Sequence, residues 1–126
     1  MIDELNLCIW GRDFTLPVEY LYYKGQTVTD EQIAAVKSFP LKKALIQDSK
    51  KAVEEFCRDQ VMADDGNVKK DNIFSYIKPD YLYVKRDEKC PRVAIMCKYR
   101  YDPEHGIAVV FSADGDIKVG LQDIIL

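Results

Sequence analysis

LKKALIQDSKKAVEEFCRDQVM, residues 41–62, places Leu41, Ala44, Leu45, Ala52, Val53, Phe56, Cys57 and Val61 at three- and four-residue steps. That period is helical. Lys50, Lys51, Glu54, Glu55 and Arg58 fall off the stripe, and Lys51–Glu55 and Glu54–Arg58 stand four apart, where opposite charges support a helix. One stripe means one buried side. The helix is expected to lie on a sheet with its far side in water, burying Leu45, Val53, Phe56 and Val61. Truncating a buried Phe56 to alanine would cost about 3–5 kcal/mol.

Upstream, Thr29-x-x-Gln32 has capping-box spacing, Asp30 and Glu31 fill the first turn, and Pro40 ends or kinks this shorter helix. Before it, Leu5, Leu7 and Ile9 alternate over residues 4–10. Phe14, Leu16, Val18, Tyr20 and Tyr22 alternate after a turn at Gly11-Arg12-Asp13. A hairpin of two strands follows from this pattern. Pro17 lacks a backbone donor, which marks its strand as an edge, at least locally.

Downstream, Asp64-Asp65-Gly66-Asn67 reads as a loop, and Asp71 as the cap of a helical turn with Ile73, Phe74, Tyr76 and Ile77, ended by Pro79. Strand patterns run over 81–86, 92–101 and 107–112, joined by Asp-, Pro- and Gly-rich turns. A short strand over 117–119 is broken by Gly120. Three exposed aliphatic side chains at the end would form a costly patch. Ile124 and a neighbour are therefore expected to pack inward behind a turn at Gln122 and Asp123. The expected fold is α+β in a single domain, residues 1–126. It is a mainly antiparallel sheet with one long helix and one or two shorter helices packed on one face.

With 126 residues, 48% hydrophobic and 31% charged, the chain has an ordinary globular composition and a core that needs no disulfide or metal staple. No apolar run is long enough to span a membrane. The first twenty residues carry Asp3, Glu4 and Asp13 and lack the pattern of a secretory signal. A net charge of −3 argues against a dedicated nucleic-acid binder. Residues 78–101 nevertheless hold seven basic and three acidic residues, and 102–126 one basic and five acidic. Neighbouring strands pairing opposite charges would account for this; a basic face for an acidic partner is the alternative.

Cys8, Cys57, Cys90 and Cys97 form no C-x-x-C, so neither zinc nor a structural disulfide is expected. Cys8, Cys57 and Cys97 read as small buried hydrophobes in a reducing compartment, and Cys90, before Pro91, as the accessible thiol. His105 is the single histidine and reads as a turn residue. Counted from Asp64, the acidic loop fails the calcium-loop pattern, with Gly66, Val68 and Ser75 where oxygen ligands belong. Glycine-rich phosphate loops and hydrolase motifs are absent. No catalytic, cofactor-binding or metal-ligating residue is assigned, no cofactor is expected, and the chain is read as a non-enzyme.

The most suggestive constellation is Tyr81, Tyr83, Lys85 and Arg86 with Lys98, Tyr99, Arg100 and Tyr101. Aromatics and cations on strands can stack bases and hold phosphates, but strand propensity favours the same residues. Tyr99 and Tyr101 continue the Val93, Ile95, Cys97 face, which reads as core.

LCIWGRDFTL (7–16), KPDYLYV (78–84) and the ending GIAVVF (106–111) with GLQDIIL (120–126) resemble small uncharacterised bacterial single-domain families of unknown function. Some of their relatives are encoded near polymorphic toxin and immunity genes. The resemblance spans the whole chain, implies a cytoplasmic bacterial protein, and carries no catalytic residue with it.

The expected function is a non-enzymatic protein-binding module, immunity-like or regulatory, whose acidic balance suits a basic protein partner. Tyr83, Lys85, Arg86, Lys98 and Arg100 are its candidate partner-binding residues. A homo-oligomer is compatible with this reading; membrane is excluded and nucleic acid disfavoured. One alternative is an enzyme or small-ligand binder whose site the sequence hides, to be recognised by a deep polar pocket. The other is a single-stranded nucleic-acid binder acting through the Tyr, Lys and Arg strands.

Overall fold

Two strands, β1 (Glu4–Ile9) and β2 (Arg12–Tyr20), pair antiparallel from Ile9↔Arg12 to Glu4↔Pro17. The computed structural model describes residues 3–22, 25–64, 73–86, 91–100, 102–112 and 115–125, and within them every side chain except those of residues 58–64 and Ser75. The hairpin turn is Trp10-Gly11, one step before the expected Gly11-Arg12-Asp13. Both residues have positive φ, 51° and 90°, as a two-residue hairpin turn with right-handed strand twist requires. Glycine adopts this freely and tryptophan does not. Trp10 is held there by burial and by its indole N–H, which donates to Ser49 Oγ at 2.9 Å.

The remaining elements are α1 (Asp30–Ser38), α2 (Lys43–Asp64), β3 (Ile77–Val84), β4 (Val93–Tyr99), β5 (Ile107–Phe111) and β6 (Ile117–Leu121). Short 3-10 turns stand at Phe39–Leu41, Ile73–Ser75 and Gln122–Ile124. The fold is α+β. The six strands lie in chain order, and every neighbouring pair is antiparallel except β2–β3, where Val18–Tyr20 run parallel to Leu82–Val84. The two helices form the crossover that a parallel pair demands.

Pro17 marks an unpaired side locally, as expected, although farther along β2 lies between β1 and β3. The Val18 amide donates to the Asp3 carbonyl, so by antiparallel alternation Pro17 sits in a non-hydrogen-bonded pair with β1. Its pairing with β3 starts only at Val18. Both ladders thus spare the missing N–H. Pro79 likewise lies inside β3 instead of ending a helical turn, and the β3–β4 register shifts between Pro79 and Tyr81 to accommodate it.

The capping box is present: the Gln32 amide donates to Thr29 Oγ1 and the Thr29 amide to Gln32 Oε1. The second helix begins at Lys43, leaving Leu41 in the 3-10 turn and 82% exposed. Its fully buried line is Ile46, Ser49, Val53 and Cys57. Leu45 and Phe56 flank this line half-buried, so the full cost expected for Phe56 does not apply there; the Val61 side chain lies outside the described residues. Ser49 is tolerated in that line because its hydroxyl accepts from Trp10 and donates to the Ile46 carbonyl.

Val36 of α1, Phe39, and Ile46, Val53 and Cys57 of α2 share one core with Leu16, Leu82, Ile95, Val109 and Phe111. Both helices therefore pack on the same face of the sheet. Helix α2 touches β1 and β6, the two outer strands, so the sheet curls around it. The opposite face holds a second cluster, Ala94, Met96, Ala108 and Val110, flanked by Tyr81 and Tyr83 and capped by Ile125. It is Ile125, not Ile124, that turns inward: Ile125 is 2% exposed and Ile124 37%. Gln122 and Asp123 do form the turn. Gly120 does not break β6 but pairs with Ala108, and a Cβ there would stand 2.9 Å from Ile124 Cγ2. Glycine is the residue that lets the last turn lie on its own strand.

The loop beyond Asp64, the cap at Asp71, Cys90, Tyr101 and the turn at 113–114 lie outside the described residues. Of the thiols, Cys8 is exposed, because the alternation that buries Leu7 and Ile9 turns it outward. Cys57 and Cys97 are buried and free. Burial pushes Cys57 up to about 12, against a hydrogen bond with Tyr99 that lowers it, and burial pushes Cys97 up as well. In the folded protein at pH 8 a thiol reagent should label Cys8 and spare Cys57 and Cys97 until denaturant is added. Unfolded thiols ionise near 9, so the folded form binds more protons above that pH. Stability should then fall with rising pH, by up to about 1.4 kcal/mol per unit per thiol. Urea melts with a flat profile between pH 9 and pH 11 would contradict this.

Candidate binding site at the β3–β4 end

The five residues singled out from the sequence do not form one patch. Tyr83 is half-buried against the Ala94–Met96 cluster. Lys85 Nζ donates to the Ile125 carbonyl at 2.6 Å, and Arg86 Nη1 to the Thr27 carbonyl at 2.6 Å. These two cations tie down the chain end and the segment leading into α1. Lys98 and Arg100 lie at the other end of the β3–β4 ladder, about 20 Å away along the strand at 3.3 Å per residue.

Lys98 and Arg100 are joined there by Lys78, a residue the sequence reading passed over. The KPDYLYV stretch contains it, but the sequence pattern starts this strand at Tyr81, after Pro79. With β3 beginning at Ile77, Lys78 falls directly opposite Lys98. Directly opposed residues share a face, and like charges so placed repel. The Arg100 amide donates to the Tyr76 carbonyl at 2.8 Å, which extends the pairing by one step and sets Arg100 beside them. Lys78, Lys98 and Arg100 are all exposed, and among the described residues no carboxylate forms an ion pair with any of them.

The three cations border an open pocket of about 270 Å³ whose other walls are Phe74, Tyr76, Ile77, Tyr99 and Pro103. The half-buried Phe74 ring is fixed by Phe14 at 5.6 Å and Trp10 at 6.0 Å between centroids, and Arg12 lies over it at 4.5 Å. The positive charge thus lies beside side chains that are themselves mostly core, Tyr76, Ile77 and Tyr99 being buried. Such an arrangement can hold anions.

Tyr99 is 2% exposed, and Tyr81 and Tyr83 flank the second cluster, so these rings do not form an open stacking platform. Burial, then Glu19 and Asp80, push the Tyr81 phenol above its ordinary value. His105 lies in an exposed turn with Nδ1 2.9 Å from Asp102 Oδ1, and that contact raises its pKa. Among the described residues no group of three His, Cys, Asp or Glu side chains converges as metal ligands, and no helix is long and apolar enough to cross a membrane.

A family model described as a domain of unknown function (DUF6985) matches residues 4–126. No curated protein and no solved structure matches the chain.

Proposed function

The chain belongs to the DUF6985 family of domains of unknown function, and from that premise we propose that it is a non-enzymatic binding module whose partner is a protein with an acidic surface. One observation carries this reading: Lys78 and Lys98 face each other across β3–β4, with Arg100 alongside, and none has an acidic partner among the described residues. Opposed like charges cost stability in the isolated domain. An acidic partner would relieve that cost and be steered to the site by it.

The net charge of −3 supports a basic partner instead, but it does not point to a particular face, whereas Lys78, Lys98 and Arg100 share one end of the sheet. An immunity-like or regulatory role in the bacterial cytoplasm fits the resemblance noted in the sequence and adds no geometric requirement. Native-lysate capture followed by mass spectrometry tests the reading. Lys98→Glu should lose the captured acidic protein at least ten-fold, whereas Lys50→Glu, exposed on α2, should retain it. Equal capture by both variants would refute an acidic partner at this end of the sheet.

A further inference from the structure

We infer that the acidic group read at this end of the sheet is a phosphorylated side chain of the partner protein, one phosphate dianion held by Lys78, Lys98 and Arg100. The inference rests on the acidic-partner reading and names the group. The Arg100 amide bonds the carbonyl of Tyr76, the residue directly opposite. Two residues on, Lys78 and Lys98 are therefore also a hydrogen-bonded pair, with Cα atoms about 5.5 Å apart. Their flexible stems let both ammonium groups close on a single ligand atom group between them. A carboxylate brings one charge and leaves that pair half compensated. A phosphate monoester brings nearly two near neutral pH, with three acceptor oxygens. Arg100, on the same side of β4 as Lys98, adds a planar fork suited to two of those oxygens.

All three cations are exposed, so a phosphate bound there keeps part of its hydration and needs no apolar recess. Their spacing is set by strand pairing, which leaves little backbone order to be lost on binding. The surroundings limit the ligand to one anion. The turn after Arg100 carries Asp102 and Glu104, which act with Asp123 on His105. Asp80, two residues past Lys78, acts on Tyr81. A nucleic acid or an anionic membrane would carry further charges onto these carboxylates. Tyr99 is buried and Tyr81 and Tyr83 flank the second cluster, so bases would also find no stacking platform.

Fluorescence anisotropy on the intact chain with two labelled peptides tests this. One carries a single phosphoserine in a glycine–serine sequence; the other has glutamate at that position. The phosphoserine peptide is expected to bind at least ten-fold more tightly. Lys78→Glu and Lys98→Glu should each weaken it at least ten-fold with circular dichroism unchanged, and Lys50→Glu should leave it unaltered. If the two peptides bind alike, or the phosphoserine peptide fails to bind, phosphate recognition is refuted. The acidic-partner reading then stands if Lys98→Glu still loses the captured protein. If neither charge reversal weakens the phosphoserine peptide, the site is refuted for both readings. Displacement of that peptide by an equal concentration of oligothymidine would overturn the inference in favour of nucleic acid.

Discussion

Gln32→Glu is expected to destabilise the protein by about 3–5 kcal/mol near neutral pH, although it changes one atom in a helix end. Gln32 is fully buried. Its Oε1 accepts the Thr29 amide at 2.9 Å, and its Nε2 donates to the Leu21 carbonyl at 2.9 Å, with Val84 and Lys85 carbonyls at 3.3 and 3.4 Å. One side chain thus closes the start of α1 and ties it to the ends of β2 and β3, the strands the helices connect. A carboxylate keeps the cap acceptor but points negative charge at three carbonyl oxygens. The folded form would hold that glutamate protonated, so its pKa is raised above the unfolded value. The sign follows: the deficit is smallest in acid and grows as pH rises past the ordinary glutamate range. Urea titrations of variant and parent between about pH 4 and pH 8 measure it. A deficit below about 1 kcal/mol at every pH would show that Gln32 is not the tie.

Phe39→Ala should cost about 3–5 kcal/mol, the value for a core phenylalanine whose cavity cannot collapse. Phe39 follows α1, is completely buried, and meets Phe111 of β5 edge to face at 5.2 Å. Its truncation removes a contact that fastens the segment between the helices to β5. Leu41, two residues on and 82% exposed, is the control, and its truncation should change stability by less than about 0.5 kcal/mol. Both residues are apolar and both flank Pro40, so a pair of thermal melts separates position from composition. Equal melting temperatures for the two variants would contradict the packing described.

The candidate site was half legible in the sequence. Lys98 and Arg100 were visible as exposed cations on an alternating strand. Lys85 and Arg86 looked equivalent to them, because alternation reports a face and says nothing about what the other end of a strand touches. Lys78 was hidden by Pro79, which looked like the end of a helical turn because proline seldom enters a strand interior. A register shift removed that objection, and a register shift has no local signature.

Local interactions were determined by the sequence alone. The Thr29–Gln32 box, the helical period over α2, the alternation in β1 and β2, the apolar strand patterns of β4 and β5, and the α+β class depend on residues within a few positions of each other. Their propensities act before any tertiary contact forms. Tertiary structure alone decided four features. It aligned β2 parallel to β3, chose Ile46, Ser49, Val53 and Cys57 as the buried line of α2, turned Ile125 inward in place of Ile124, and set Lys78 opposite Lys98. Each depends on groups distant in sequence, as when Ser49 answers the Trp10 indole and the Lys85 ammonium answers the Ile125 carbonyl. Such pairings exchange a large loss of chain entropy for contacts that exist only once the whole sheet is assembled, which is why no stretch of the chain announces them by itself.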